Sequence, residues 1–240
     1  MDKPGKKYTG ESEKNRMSKL KSFVRLDFIT VKPYFTVKNL IIFAIIALFI
    51  TTMSGNFTTG ISLGMFIAIN FISYPFVLGE KSNMDALYAT LSADRYLVVL
   101  GRYIFTLALN LCAAAFFFSV SAAGLLATSA IGIKTVIGDP ATVISMVFAL
   151  VVVIQSIQLP LYFKMGYAKA KFFSMVPYIA IMVSFVAFAA ISNINRDSPT
   201  YVANKLEKAF NYAPLLAFAL IFLVILSYRI SLAFYKKREF

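Results

Sequence analysis

The sequence contains no histidine and a single cysteine, Cys112. Without histidine it lacks the commonest general base of enzymes and the commonest metal ligand. One cysteine cannot form a disulfide within the chain or supply a cysteine-based metal site. The G-x-x-x-x-G-K-[ST] loop with which P-loop proteins bind ATP is absent, as is the H-E-x-x-H motif. We therefore expect no catalytic residue, no metal site and no cofactor bound by this chain itself.

Charged residues are also scarce, at 15% of the 240 residues, whereas 59% are hydrophobic and the mean hydropathy is +0.75. Such a composition cannot be covered by a polar surface in water, so the chain is expected in a lipid bilayer. Its apolar runs reach the roughly 20 residues that a membrane-spanning helix needs. No Asp, Glu, Lys or His lies in the middle of a run, which argues against transport coupled to protons or sodium.

The apolar runs predict an all-α integral membrane protein with six spans. The predicted spans are residues 37–54, 57–78, 97–130, 141–163, 172–191 and 212–235. Gly60 and Gly64 have the G-x-x-x-G spacing that allows close helix contact, and generic packing is the simpler interpretation. Pro75 should bend the second span, with Asn70 and Ser73 available to bond to the freed backbone groups.

Two polar segments flank the spans. Residues 1–16 predict a flexible cytoplasmic tail, and residues 236–240 a short cytoplasmic end. Residues 17–33 predict an amphipathic helix in the headgroup region, with cations on one narrow stripe. The residues that define this helix are Lys21, Phe23, Val24, Arg25, Phe28 and Lys32. Asp27 falls on its apolar side, and a merely basic linker is the alternative.

The cations are unevenly distributed between the connections. Only Lys134, Arg196, Lys205 and Lys208, of 24 Lys and Arg, lie on the side of the bundle opposite to the termini. Because Lys and Arg accumulate on the cytoplasmic flanks of membrane helices, both termini are predicted to be cytoplasmic. The same rule accounts for the net charge of +13 without nucleic-acid binding.

The connection after the second span is patterned as a short amphipathic helix. Ser82 and Asp85 resemble a capping box that would start it. Four apolar residues share one helical face by their i, i+3, i+4 and i+7 spacing: Met84, Leu87, Tyr88 and Leu91. A one-sided helix between two spans predicts a surface for a partner, and an ordinary interfacial loop is the alternative.

Amides are the main strongly polar side chains within the predicted spans, and they could line a translocation path. They are Asn70, Asn110, Gln155 and Gln158. Hydrogen bonding between helices is the more economical role, since such bonds are widespread and contribute about 0.6–2 kcal/mol each.

A short motif follows the amphipathic stretch. The chain reads T-L-S-A-D-R over residues 90–95 and V-V-L-G-R-Y over residues 98–103. This run resembles the start of the third helix in permease subunits of type-2 ATP-binding-cassette exporters, which are small six-helix bacterial membrane proteins. One branch of that family has a motif close to S-L-P-[IV]-S-R followed by V-x-x-[RK]-Y. Here Ser92 replaces the usual proline and Asp94 precedes the arginine.

The resemblance implies that residues 82–95 hold a coupling helix, which docks into a groove of a separate nucleotide-binding ATPase subunit. The contacts with that subunit would be Met84, Asp85, Leu87, Tyr88, Leu91, Asp94 and Arg95, with Leu87, Tyr88 and Leu91 as an apolar plug. Arg102 and Tyr103 would transmit the movement into the third span. Residues 17–33 would be the elbow helix of the family.

The same resemblance implies a transporter made of two permease chains, identical or paralogous, and two ATPase chains that bind ATP and Mg²⁺. It also implies the bacterial plasma membrane. Family members export drugs, lipids, polysaccharides and antimicrobial or toxic peptides, and the apolar spans favour a hydrophobic or amphipathic cargo, with toxic or antimicrobial peptides as the leading hypothesis. Two other hypotheses are an ATP-independent channel or facilitator and a membrane anchor for a cytoplasmic protein.

Overall fold

The computed structural model describes residues 7–54, 57–84, 88, 94–130, 140–180, 183 and 213–238. Within these residues the chain is helical almost throughout and contains no strand. The main helices are α1 (Lys7–Val31), α2 (Val37–Ser54), α3 (Phe57–Phe71), α4 (Tyr74–Lys81), α5 (Arg95–Ala130), α6 (Pro140–Ser174) and α7 (Ala213–Lys237). A 3₁₀ turn, Lys32–Tyr34, connects α1 to the start of α2.

Five stretches of the described residues are long and apolar enough to cross a membrane. They are Val37–Ser54, Thr59–Lys81, Arg95–Leu126, Ile144–Ala180 and Leu215–Lys237. In the most apolar windows of the first and last stretch, mean hydropathy is 2.0 and 2.3, yet only 11% of the residues are buried. So much exposed apolar surface is unstable in water, and the predicted all-α membrane fold is confirmed.

The fourth of these stretches contains a reversal at Gly166. This residue has φ 72° and ψ 173°, outside the helical region, and it divides α6 into two parts. The Gln158 side chain donates a hydrogen bond of 3.1 Å to the carbonyl of Ser174, although 16 residues of straight helix would separate them by about 24 Å. Residues 167–174 therefore run back along the first part of α6. Of the predicted fifth span, residues 172–191, the described part is 172–180 and 183.

The predicted bend at Pro75 is confirmed. The second span is interrupted between Phe71, where α3 ends, and Tyr74, where α4 begins. Ser73 Oγ donates to the carbonyl of Asn70 at 2.7 Å, and Asn70 Nδ2 donates to a carbonyl one turn earlier at 2.9 Å. The Ser73 bond satisfies a carbonyl next to the break, as predicted, whereas the Asn70 bond lies one turn before it, inside α3.

The longest helix, α5, is the centre of the fold. It packs against α1, α2, α3 and α7, while α6 packs against α3, α4 and α7. A Cβ atom on Gly64 of α3 would collide with the Phe117 ring of α5, and one on Gly60 would collide with Thr51 and Ser121. The G-x-x-x-G spacing thus serves close packing within the chain.

Helix α1 begins at Lys7, inside the segment predicted to be a tail, and its last turns follow α5. Phe23 lies against Gly101, and Phe28 packs edge-to-face on Phe105 with ring centroids 5.0 Å apart. Because residue numbers rise together along both helices, α1 and α5 run side by side in the same direction. The helix predicted for the headgroup region is therefore aligned with the third span where the two meet.

Candidate functional site

Polar side chains with specific partners converge where α5 begins. We call this region the Arg95 end: the C-terminal part of α1, helix α4, residues 95–103 of α5, residues 159–170 of α6, and the C-terminal turns of α7. Its contacts connect α5 to each of the other helices named. Among the described residues, no group of Asp, Glu and Cys side chains could hold a metal ion.

Tyr88, predicted as part of an exposed plug, is buried in the chain's own core. It is 8% exposed and belongs to an apolar cluster with Val98, Val99, Phe163 and Tyr235. The elbow residue Phe23 packs edge-to-face on its ring, with centroids 5.4 Å apart. This differs from the expectation, because the Tyr88 ring anchors the connection to the bundle.

Apart from Arg95, the other predicted coupling residues fall into three groups. Met84 is half-buried and packs against the same cluster as Tyr88. Asp94 is exposed, and its backbone carbonyl accepts hydrogen bonds from the first turn of α5, including Leu97 N–H at 2.8 Å. Asp85, Leu87 and Leu91 lie outside the described residues.

Arg95 binds the end of α7 within the same chain. Its Nη1 donates to the carbonyl of Lys236 at 2.6 Å and lies 3.3 Å from the carbonyl of Tyr235 and 3.5 Å from that of Arg238. The last carbonyls of a helix lack intrahelical partners and carry partial negative charge, so a guanidinium is a suitable cap. Arg95 therefore ties the start of α5 to the end of α7.

Arg102 forms a buried ion pair with Asp27 of α1. Its Nε lies 3.2 Å from Asp27 Oδ1, and the two residues are 7% and 3% exposed. The guanidinium also stacks over the Phe76 ring of α4, 4.6 Å from its centroid. Arg102 thus connects α5 with α1 and α4, and the carboxylate on the apolar side of α1 has a cation as partner.

Burial dominates the titration of Asp27. It raises the pKa of this carboxyl to about 6, although the nearby Arg102 acts in the opposite direction. Removal of a carboxylate from water disfavours its charged form, and one cation at 3.2 Å offsets part of that cost. The charged form of Asp27 in this buried position therefore depends on Arg102 beside it.

Tyr103 connects α5 to α7 through its hydroxyl group. The oxygen lies 2.7 Å from Ser227 Oγ and 2.8 Å from Ser231 Oγ. Ser227 in turn donates to the carbonyl of Ser156 in α6 at 2.7 Å. Tyr103 is therefore connected to α7 directly and to α6 through Ser227.

Glu80 holds the reversal at Gly166. Its Oε2 accepts hydrogen bonds from the N–H groups of Tyr167 at 2.7 Å and Ala168 at 3.0 Å, where the helix restarts. Negative charge is favourable at such a helix start. The guanidinium of Arg238 also lies close to Gly166. Helix α4 is in this way joined to the connection between the fourth and fifth predicted spans.

The four amides make bonds within the protein. Asn110 and Gln155 exchange two hydrogen bonds of 2.6 and 2.9 Å, and both are buried. Gln158 bonds to the carbonyl of Ser174, and the exposed Asn70 bonds to its own helix. Three of these residues therefore act as contacts between helices or helix segments.

The residues predicted for the elbow helix divide by face. Phe23 and Val24 are half-buried against α5, whereas Lys21, Arg25, Phe28 and Lys32 are exposed, although Phe28 still contacts the Phe105 ring. The cations therefore stay on the outer surface of α1.

Sequence reasoning missed Asp27, Glu80 and Ser227 as members of the site. A carboxylate on an otherwise apolar helical face was the available signal for Asp27, since a buried charge requires a partner. Nothing comparable marked Glu80, because its role depends on the backbone of residues 166–168.

The arrangement defines a multi-pass helical membrane protein whose helices are joined at one end by hydrogen bonds and an ion pair. The family model described as ABC-2 family transporter protein matches residues 22–236, which is most of the chain. The chain therefore belongs to the ABC-2 transporter family and is a permease of an ATP-binding-cassette transporter. Permeases of this family work in general with an ABC ATPase. Comparison with curated proteins and with solved structures gave no match.

Proposed function

We propose that this chain is the membrane subunit of an ATP-driven exporter in the bacterial plasma membrane, with both termini in the cytoplasm. A separate ATPase subunit, which holds ATP and Mg²⁺, docks on residues 82–95. The cargo is hydrophobic or amphipathic, with toxic or antimicrobial peptides as the preferred class. Two permease chains, identical or paralogous, complete the membrane part.

The observation that carries this proposal is the set of contacts at the start of α5. Arg95 caps α7, Arg102 pairs with α1, and Tyr103 bonds to α7 within three turns of helix. A push on the connection before α5 would therefore reach the other helices as one displacement. This is the mechanical requirement for a subunit driven from outside by ATPase closure.

Tyr88 has a defined place in this mechanism. Its buried ring gives the docking segment a fixed attachment to α1, α5, α6 and α7. Leu87, Leu91 and Asp85 remain the proposed contacts with the ATPase. Support for an apolar cargo comes from the amides of the spans, since Asn110, Gln155 and Gln158 are hydrogen-bonded within the protein.

The test is co-purification followed by an ATPase assay. The tagged chain is isolated from its native membranes, and the associated P-loop protein is identified and reconstituted with it in liposomes. Leu87→Asp should abolish both capture of the ATPase and stimulation of ATP hydrolysis, because a carboxylate cannot enter an apolar groove. Ser22→Asp adds the same charge to an exposed position of α1 and should change neither.

Other outcomes identify the competing functions. Solute movement by the purified chain without an ATPase would indicate a channel or facilitator. Capture of the ATPase without any stimulation of hydrolysis would indicate an anchor. Unchanged capture and hydrolysis in Leu87→Asp would show that the docking segment is misassigned.

A further inference from the structure

Two neighbouring hollows lie beside α5, and we call them together the groove. The first lies between α1 and α5 and includes Phe28 and Ile29. The second lies between α2, α3 and α5. Phe35, Leu109 and Cys112 line both hollows, so the two are adjacent.

The mouth of the groove is cationic. Arg25 and Lys32 line the first hollow and are exposed. Arg25 lies in α1, and Lys32 begins the 3₁₀ turn that follows it. Seven residues of nearly continuous helix separate them, which places both on one face about 10 Å apart. Among the described residues neither cation forms an ion pair. Two cations without an ion-pair partner among the described residues therefore lie at the edge of the apolar groove.

The second hollow is an apolar chamber. Its walls include four phenylalanine rings, Phe43, Phe71, Phe116 and Phe117. Along α5 the lining runs from Leu109, shared with the mouth, to Phe117, a rise of about 12 Å. Polarity thus decreases in one direction, from the cations of α1 to the aromatic rings deeper in the span.

We propose that this groove binds an anionic phospholipid of the leaflet on the side of the termini. Its phosphate lies at Arg25 and Lys32, and one acyl chain enters the aromatic chamber. The order of charge and apolar surface in the groove is that of a lipid in that leaflet. A second copy of this chain fits less well, because a protein of net charge +13 does not complement a cationic mouth. The inference rests on the membrane location of the chain and not on the ATPase or the cargo.

Cys112 offers a direct readout, since it is the chain's single cysteine and lines both hollows. The purified, delipidated full chain is titrated in detergent with phosphatidylglycerol or phosphatidylcholine, and alkylation of Cys112 by N-ethylmaleimide is timed. Half-maximal protection should require about 30-fold less phosphatidylglycerol than phosphatidylcholine, because two cations lie near the phosphate of the anionic lipid. Arg25→Gln with Lys32→Gln should remove this preference. Lys19→Gln with Lys21→Gln removes two exposed cations of the same helix outside the groove and should retain it.

A second variant separates binding of the acyl chain from binding of the lipid headgroup. Ala113→Trp fills the chamber but keeps both cations, and native mass spectrometry should show loss of bound phosphatidylglycerol from it. Equal protection by the two lipids, or a preference that survives in the Arg25/Lys32 variant, would overturn the proposal. So would protection that follows protein concentration and ignores lipid, which would indicate a second copy in the groove. Far-UV circular dichroism confirms that each variant is folded before its result is used.

Discussion

Replacing Arg102 with methionine should strongly destabilise the protein. Asp27 and Arg102 are 3% and 7% exposed, so neither charge is compensated by water. Removal of one partner from a buried ion pair typically costs about 3–5 kcal/mol, because the other charge stays buried alone. Arg102→Met also removes the stacking over Phe76. The expected loss is therefore a large part of the free energy of unfolding.

The companion variant combines Asp27→Leu with Arg102→Met. Replacing both charges by apolar groups is often neutral or stabilising, since no buried charge remains. Thermal unfolding in detergent, followed by far-UV circular dichroism, compares the variants. At about 2–4 °C per kcal/mol for a chain of this size, Arg102→Met should unfold some 6–20 °C lower. The double variant should recover most of that difference.

Acidification gives an independent check of the same reasoning. Without Arg102, the Asp27 carboxyl loses the group that lowers its pKa. Protonation then removes the buried charge, so the deficit of Arg102→Met should shrink as the pH falls from about 7.5 to about 5.5. Arg16→Met, at an exposed position of α1, should behave as wild type. If Arg102→Met melts within about 2 °C of wild type, or if the double variant is no better than the single one, the ion pair does not support the fold.

Two further predictions concern Asp27 and Tyr103. Burial raises the pKa of Asp27 from 3.8 to about 6, so the folded state binds more protons than the unfolded state between these values. The free energy of unfolding should therefore fall by about 2 kcal/mol as the pH rises from about 4 to about 6, and Asp27→Asn should lack this part of the slope in melting curves. Tyr103→Phe removes hydroxyl contacts with Ser227 and Ser231 and should cost about 1–2 kcal/mol. The control Tyr96→Phe, at an exposed tyrosine, should melt as wild type; an equal effect of both would show that the contacts of Tyr103 are not special.

The membrane-spanning helices could be predicted from the sequence because lipid imposes a simple requirement. A helix must expose about 20 apolar residues to cross the bilayer, and that run is visible without knowledge of the fold. The stretch predicted as 37–54 and helix α2, Val37–Ser54, illustrate this. Pro75 was predictable for a similar reason, since a missing N–H and a rigid ring act locally.

The partners of the polar side chains could not be predicted in the same way. Asp27 carries a visible requirement for a cation, but the choice of Arg102, 75 residues later, depends on how α1 approaches α5. Gly101 permits this approach, since Phe23 lies 3.2 Å from the position that a Cβ atom there would occupy. Glu80 is a stronger case, because the N–H donors that it binds are brought together only once the backbone has reversed at Gly166.

The stripe of Met84, Leu87, Tyr88 and Leu91 shows the limit of periodicity most clearly. A helical face identifies residues that need an apolar partner, but it does not say whether that partner is the same chain or another protein. Tyr88 and Met84 contact the bundle. In a regular helix Leu91 would lie about 60° from Tyr88, and Leu87 about 100°. On that geometry Leu87 would be the member of the stripe most able to reach the proposed ATPase while Tyr88 stays in the core, so Leu87→Asp is the sharpest test of the proposed docking.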